Sequence, residues 1–170
     1  MKEVETTIER IIRITGREPV SCKCAKCKSQ CQRTPCLGTP QDIMKLIEAG
    51  YKDRLGITAW SVGMLVGVLP FPIPMVQAIQ TTEGCAFFKD GLCILHEQGL
   101  KPTEGKLSHH TIAIENFDFS KSLSWNVART WLEPKNAITI IRIFQMFGII
   151  KGIITVSYTH LRAHETDQYL

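Results

Sequence analysis

The chain of 170 residues lacks several features that assign proteins to large classes. Its opening segment, MKEVETTIER, alternates acids and bases and has no apolar run of the kind that a secretory signal requires. We therefore expect a cytoplasmic location. A Gly-rich phosphate-binding loop, a G-x-S-x-G motif and an H-E-x-x-H motif are all missing, so the sequence carries no recognisable catalytic signature. Whether the protein is an enzyme is left open by its sequence.

Charged residues are absent from the stretch Ala59 to Ile79, which is long enough to raise the question of a membrane span. Glycines interrupt this stretch, and the alternating prolines Pro70, Pro72 and Pro74 favour an extended or looped path. We expect it to form buried core or the wall of a pocket, and we expect no contact with a membrane.

Acids and aromatics are absent from residues 22–36, although four basic residues occur there and equal the net charge of +4. Lys23, Lys26, Lys28 and Arg33 alternate with cysteines whose thiolates they can neutralise. Nucleic-acid binding normally adds aromatic side chains on which bases stack. We therefore interpret the basic run as charge compensation and do not expect a nucleic-acid partner.

Cysteine is plentiful by contrast, with seven residues in the chain. An odd count in a reducing compartment disfavours a disulfide framework and favours metal binding. The first five cysteines follow the pattern C-x-C-x2-C-x3-C-x4-C over residues 22–36. A tetrahedral zinc ion needs four such ligands, and short connecting loops bring them together at low entropic cost.

A second pair of cysteines, Cys85 and Cys93, flanks Asp90-Gly91, a dipeptide suited to a two-residue hairpin turn. We predict a β-hairpin with one cysteine on each arm. The adjacent residues His109 and His110 are further candidate ligands. Because neighbouring side chains on an extended segment point to opposite faces, at most one of this pair should face a given metal.

The predicted metal ligands are therefore Cys22, Cys24, Cys27, Cys31, Cys36, Cys85, Cys93, His109 and His110. They suffice for two four-coordinate ions, or for one cluster with ligands to spare. Ligation by thiolates alone suits zinc or an iron–sulfur centre, whereas a histidine ligand favours zinc or mononuclear iron. The sequence thus predicts a zinc or iron cofactor without choosing between them.

Helical periodicity and capping signals predict helices on both sides of the cysteines. The apolar residues of the first fifteen positions recur at helical spacing, with Gly16 as the stop, and Thr39 can cap a helix over residues 40–49. Two further helices are predicted over residues 124–132 and 136–147. We expect an α+β fold in which helix exceeds strand, with an irregular Cys-rich loop, one β-hairpin and helices at both ends. Residues 1–155 should form a single metal-binding domain.

The Cys22 to Cys36 cluster, the TPQDI helix start and the GCAFFKDGLCILH segment together resemble the zinc- or iron-chelating cysteine-cluster proteins of the CxxCxxCC type. The resemblance covers roughly residues 20 to 110 and implies metal chelation, with no reaction common to the family. Two features depart from that pattern. The adjacent Cys-Cys pair is replaced by separated cysteines, and the last family cysteine has no counterpart after Lys101-Pro102. We hypothesise that His109 or His110 replaces it.

The last fifteen residues, 156–170, resemble translated sequencing-adaptor sequence, which implies that they are not native. An ordinary disordered tail is the alternative. On the first interpretation the native chain is truncated after about Ile150, and His160 and His164 are not ligands.

Three functions remain open from the sequence. The metal site can be structural or chelating, with zinc binding that contributes to folding. It can instead hold iron or an iron–sulfur centre, with a ligand position open to substrate near residues 59–79. A third interpretation is a zinc-organised surface that binds nucleic acid or another protein. The oligomeric state is not predicted.

Overall fold

Short helices and two-stranded sheets alternate along the chain in the computed structural model, which describes residues 5–110 and 118–151. Its α-helices are α1 (Thr7–Thr15), α2 (Ala25–Arg33), α3 (Pro40–Glu48), α4 (Val62–Leu65), α5 (Thr103–Leu107), α6 (Leu123–Ala128) and α7 (Ala137–Met146). Its strands are β1 (Leu55–Trp60), β2 (Ile73–Ala78), β3 (Gln80–Thr81), β4 (Gly84–Cys85), β5 (Phe88–Lys89) and β6 (Leu92–Cys93). The predicted α+β class, with more helix than strand, is confirmed.

The predicted helix starts and stops of the N-terminal half are confirmed. Helix α1 begins with a capping box between Thr6 and Glu9 and ends at Gly16, which is in the left-handed conformation. Helix α3 has Pro40 as its first residue and a capping box between Thr39 and Asp42. The Asp42 carboxylate also accepts hydrogen bonds from the backbone N–H and the hydroxyl of Thr103, which join the start of α5 to α3.

A single apolar core unites the helices with the longest sheet. Ile43 and Leu46 of α3 and Ile143 of α7 are buried with Ile73 and Met75 of β2. β1 and β2 pair in antiparallel register from Leu55 opposite Ala78 to Trp60 opposite Ile73. The indole of Trp131, also buried, donates a hydrogen bond of 2.9 Å to the Gly38 carbonyl and so joins the C-terminal helices to the entry of α3.

The charge-free stretch Ala59 to Ile79, which we expected to form buried core or the wall of a pocket, is buried only in part. β2 contributes buried side chains, but most apolar residues between the two strands are exposed, with Leu65 at 78%. The interrupting glycines and prolines permit one short helix, α4, which cannot cover its own apolar side chains. Within residues 5–110 and 118–151, no helix combines the length and apolar character needed to cross a bilayer.

The structure also corrects two predictions about the cysteine segments. Three two-stranded antiparallel sheets occur among the described residues where one hairpin was predicted. Asp90-Gly91 does form the turn between β5 and β6, but Cys85 lies in β4 and pairs with Gln80 of β3. The two cysteines therefore belong to successive hairpins, because the apolar segment after Cys85 supplies the strand opposite Cys93.

The Cys-rich segment is not an irregular loop, because Cys27 and Cys31 lie on helix α2. Most residues of its sequence, AKCKSQCQR, are alanine, lysine, glutamine or arginine, which favour helix. The predicted C-terminal helices are present, although the first continues from α6 into a 3₁₀ turn over Arg129–Leu132. The suspected tail, residues 156–170, lies outside the described residues, so its origin and the domain boundary at 155 stay predictions.

Candidate metal centre

One backbone hydrogen bond and one side-chain contact anchor the segment that leads to the first cysteines. The Val20 N–H donates to the Lys106 carbonyl at 3.0 Å, and the Ser21 hydroxyl lies 2.7 Å from Nε2 of His96. The chain that leads into Cys22 therefore runs along the end of α5, which is followed immediately by His109 and His110. Two segments more than 80 residues apart meet at this edge of the domain.

Four side chains converge there to form what we term the mixed group, namely Cys22, Cys24, Cys27 and His110. Their three sulfurs and one ring nitrogen all lie within 4.8 Å of one another. Nδ1 of His110 lies 3.5 Å from Sγ of Cys24 and 3.2 Å from Sγ of Cys27. In a tetrahedral zinc site, bond lengths of about 2.3 Å to sulfur and about 2.0 Å to nitrogen separate those two atoms by about 3.5 Å. The mixed group can hold a metal ion.

The start of α2 explains why these thiols are suited to ligation. Cys24 precedes the first residue of the helix and Cys27 lies in its first turn, so both sulfurs lie at the positive end of the helix dipole. The backbone N–H of Cys27 lowers the pKa of the Cys24 thiol below its ordinary value of 9.0. Burial raises the pKa of Cys27, a cost that a bound cation would offset.

The other four cysteines form a separate four-cysteine group: Cys31, Cys36, Cys85 and Cys93. All four line one cavity of about 20 Å³, which Ala78, Phe87, Leu95, Lys101 and Pro102 complete. Cys31 lies in the last turn of α2, Cys36 lies between α2 and α3, and the other two end β4 and β6. Four distinct segments of the fold therefore contribute one sulfur each.

The thiols of the four-cysteine group perturb one another strongly. The interaction between the Cys31 and Cys93 thiols lowers the pKa of Cys93 to about 6 and raises that of Cys31. Burial raises the pKa of Cys36 to about 12, and it also raises that of Cys85. Without a cation, the pocket therefore favours one thiolate among thiols. The positive charge of Lys101 favours the thiolate form of Cys31, Cys36 and Cys93.

A larger cavity, of about 120 Å³, separates the two groups. Cys22 and Cys27 line it from the mixed group, and Cys31 and Cys36 line it from the four-cysteine group. Cys27 and Cys31 lie one helical turn apart on α2, or about 6 Å along its axis. One short helix therefore supplies ligand candidates to both groups.

The structure thus assigns the predicted ligands to different places. His110 lies among the sulfurs of the mixed group, whereas His109 stacks on His110 with ring centroids 4.4 Å apart. The separation of the seven cysteines into two groups was left open by the sequence. One sequence signal was overlooked: Cys24, Cys27 and Cys31 follow the i, i+3, i+7 spacing of a helix face.

Comparison of the chain with protein-family models, with curated proteins and with solved structures finds no match in any of the three.

Proposed function

We propose that this protein is a zinc-binding protein and that the mixed group is its metal site. The observation that carries the proposal is the convergence of three sulfurs and Nδ1 of His110 within 4.8 Å. The three cysteines lie in one short segment and the histidine lies far away in the sequence. The fold therefore brings these side chains together. Four protein ligands complete a tetrahedral shell, as in zinc sites that serve structure or storage.

The ligand set favours zinc over an iron–sulfur centre. Iron–sulfur clusters are most often held by four cysteine thiolates, whereas three cysteines and one histidine form a common zinc set. Four protein ligands also leave no open position for a substrate, which argues against a catalytic iron site. Of the apolar stretch 59–79, Ala78 lines the small four-cysteine cavity, and the cavity of about 120 Å³ has other residues as its lining.

A chelating role with exchangeable metal fits the position of the mixed group at the surface. His110 is exposed, and Cys22 and Cys27 are partly exposed. Water and competing ligands can therefore reach the sulfurs from one side. The resemblance to the cysteine-cluster proteins supports metal chelation as the biological role, and it adds no reaction to that role.

The first experiment is to purify the full chain without oxygen and to measure zinc, iron and sulfide by elemental analysis with an ultraviolet–visible spectrum. We expect stoichiometric zinc and no visible absorption. Iron with sulfide and broad absorption would contradict the zinc assignment and favour the redox alternative. A protein that binds no metal, even after anaerobic reconstitution, would contradict the proposal as a whole.

The second experiment isolates the mixed group. His110→Ala removes the nitrogen ligand, and we expect at least a tenfold loss of zinc affinity at one site, measured by competition with a chromophoric chelator. Gln98→Ala is the control, because Gln98 is exposed, accepts a hydrogen bond from Tyr51 and lies outside the mixed group. Equal affinities in His110→Ala and wild type would show that the imidazole is not a ligand.

A further inference from the structure

The four-cysteine group surrounds a small cavity, and its sulfurs as a set lie farther apart than the 4.8 Å that joins the donor atoms of the mixed group, so a bound ion would draw them together. The cavity volume of about 20 Å³ exceeds only slightly the roughly 10–15 Å³ that one water molecule requires. Apart from the four sulfurs, its lining is apolar except for Lys101. Water that entered this space would find few strong hydrogen-bond partners, whereas a thiophilic cation would find four sulfur ligands.

Helix α2 has no buried residue. Apolar packing therefore does not explain how this helix is held to the domain. Gln32 donates a hydrogen bond of 3.3 Å to the Glu83 carbonyl, and α2 lies against β4 and β6. Cys31 faces the sulfurs of the two hairpins from the last turn of this helix. Bonds from these sulfurs to a shared metal ion can hold such a polar helix to the domain.

We infer that Cys31, Cys36, Cys85 and Cys93 form a second metal centre, which takes zinc as a closed four-thiolate site and fastens α2 to the β4 and β6 strands. This centre is independent of the mixed group, because the two share no ligand. Four thiolates around a divalent ion carry a net charge of −2, which the ammonium group of Lys101 partly offsets. All seven cysteines are free thiols, so none is withdrawn by a disulfide.

The two centres differ in the role that their surroundings permit. The four-cysteine group lies between the end of α2 and two hairpins, and its residues are partly or fully buried. An ion there releases slowly and contributes its binding free energy to folding. The mixed group opens to solvent and exchanges its ion.

The decisive test is a full-length variant that lacks the mixed group, with Cys22, Cys24 and Cys27 all changed to Ser. We expect this variant to retain one equivalent of zinc and, when loaded with cobalt, to give the charge-transfer and ligand-field bands of a tetrahedral four-sulfur site. X-ray absorption should count four sulfurs around the ion. A variant that binds no metal, or that contains a Cys31–Cys93 disulfide by mass spectrometry under non-reducing conditions, overturns the inference.

The reciprocal variant, Cys36→Ser with Cys85→Ser, is expected to lose that equivalent and to unfold at lower temperature, while the other site keeps its ion. Cadmium NMR of the wild-type protein decides the matter without any substitution. We expect two signals, one for four sulfurs and one for three sulfurs and one nitrogen. A four-sulfur signal alone supports this inference and contradicts the proposed site at the mixed group. The three-sulfur signal alone overturns the inference.

Discussion

Nδ1 of His110 lies 3.2 Å from Sγ of Cys27, although 83 residues separate them in the chain. This contact depends on the pairing of the Val20 backbone with the end of α5 and on the placement of α5 by Asp42. The candidate ligands of the mixed group are therefore positioned by hydrogen bonds between the segments that carry them. Perturbing this support should change metal binding without removing any ligand.

At the four-cysteine group, Gly84 of β4 lies against Gln32 of α2 and offers a test of the same kind. Its φ is +123°, and a Cβ atom there would lie 2.8 Å from the backbone oxygen of Gln32. Gly84→Ala is expected to push α2 away from Cys85, to destabilise the fold by about 2–4 kcal/mol and to weaken zinc binding at the four-cysteine group. Unfolding in urea and chelator competition measure the two effects.

Gly99→Ala is the control, because Gly99 has a φ of +68° but no atom within 4 Å of its Cβ position. It should cost only the backbone strain, about 1 kcal/mol, and leave metal affinity unchanged. If both variants lose the same stability and bind zinc equally, the contact between Gly84 and Gln32 does not position the sulfurs.

Lys101 is expected to tune metal binding by its charge. It lines the small cavity, and its ammonium group lowers the pKa of Cys31, Cys36 and Cys93 from the values that burial and neighbouring thiols impose. Lys101→Met keeps most of the side-chain volume and removes the charge. We expect about a tenfold loss of affinity at the four-cysteine group, which corresponds to about one pKa unit. Chelator competition on the variant that lacks the mixed group measures this loss.

Lys89→Met is the matched control for charge, because Lys89 is an exposed residue of β5 that does not line the cavity. In the variant that lacks the mixed group, Lys89→Met should leave the zinc affinity unchanged. An unchanged affinity in Lys101→Met would mean that solvent screens the ammonium group from the sulfurs.

Glu104 predicts a pH dependence of stability. Burial raises the pKa of its carboxyl above the ordinary value of 4.5, although the group accepts hydrogen bonds from the Leu37 N–H and the Ser124 hydroxyl. Between pH 4.5 and this raised pKa, the carboxyl is therefore protonated in the native state and ionised in the unfolded state. The free energy of unfolding should therefore fall as the pH rises from 4.5 through the raised pKa, by up to about 1.4 kcal/mol per pH unit.

Glu104→Gln should lack this fall, so its stability relative to wild type should increase across the same pH window. Urea unfolding at several pH values measures the free energy of unfolding of both proteins. The difference between the two values removes the contribution of the titratable groups that both proteins share. The control is the exposed Glu48→Gln, whose profile should run parallel to wild type. Parallel profiles for Glu104→Gln and wild type would show that the carboxyl is not a source of the pH dependence.

The local elements of this protein follow from its sequence, because each depends on neighbouring residues. The capping boxes at Thr6 and Thr39 fix two helix starts, and Asp90-Gly91 fixes a turn. The set of sulfur ligands is likewise visible as a pattern. Helix α2 could also have been predicted, since the cysteine spacing and the helix-forming residues between them agree.

Only the tertiary structure decided which candidate ligands lie close together. Cys27 and Cys31 lie one turn apart on α2, yet they face different partners, because one end of the helix meets the segment after α5 and the other meets β4 and β6. Cys85 lies outside the predicted hairpin because β4 pairs with the preceding strand β3, with Cys85 opposite Gln80. The sequence by itself determined which donor atoms are present and where the local turns form. The packing of distant segments determined which donor atoms lie together, because distance along the chain does not predict which segments meet.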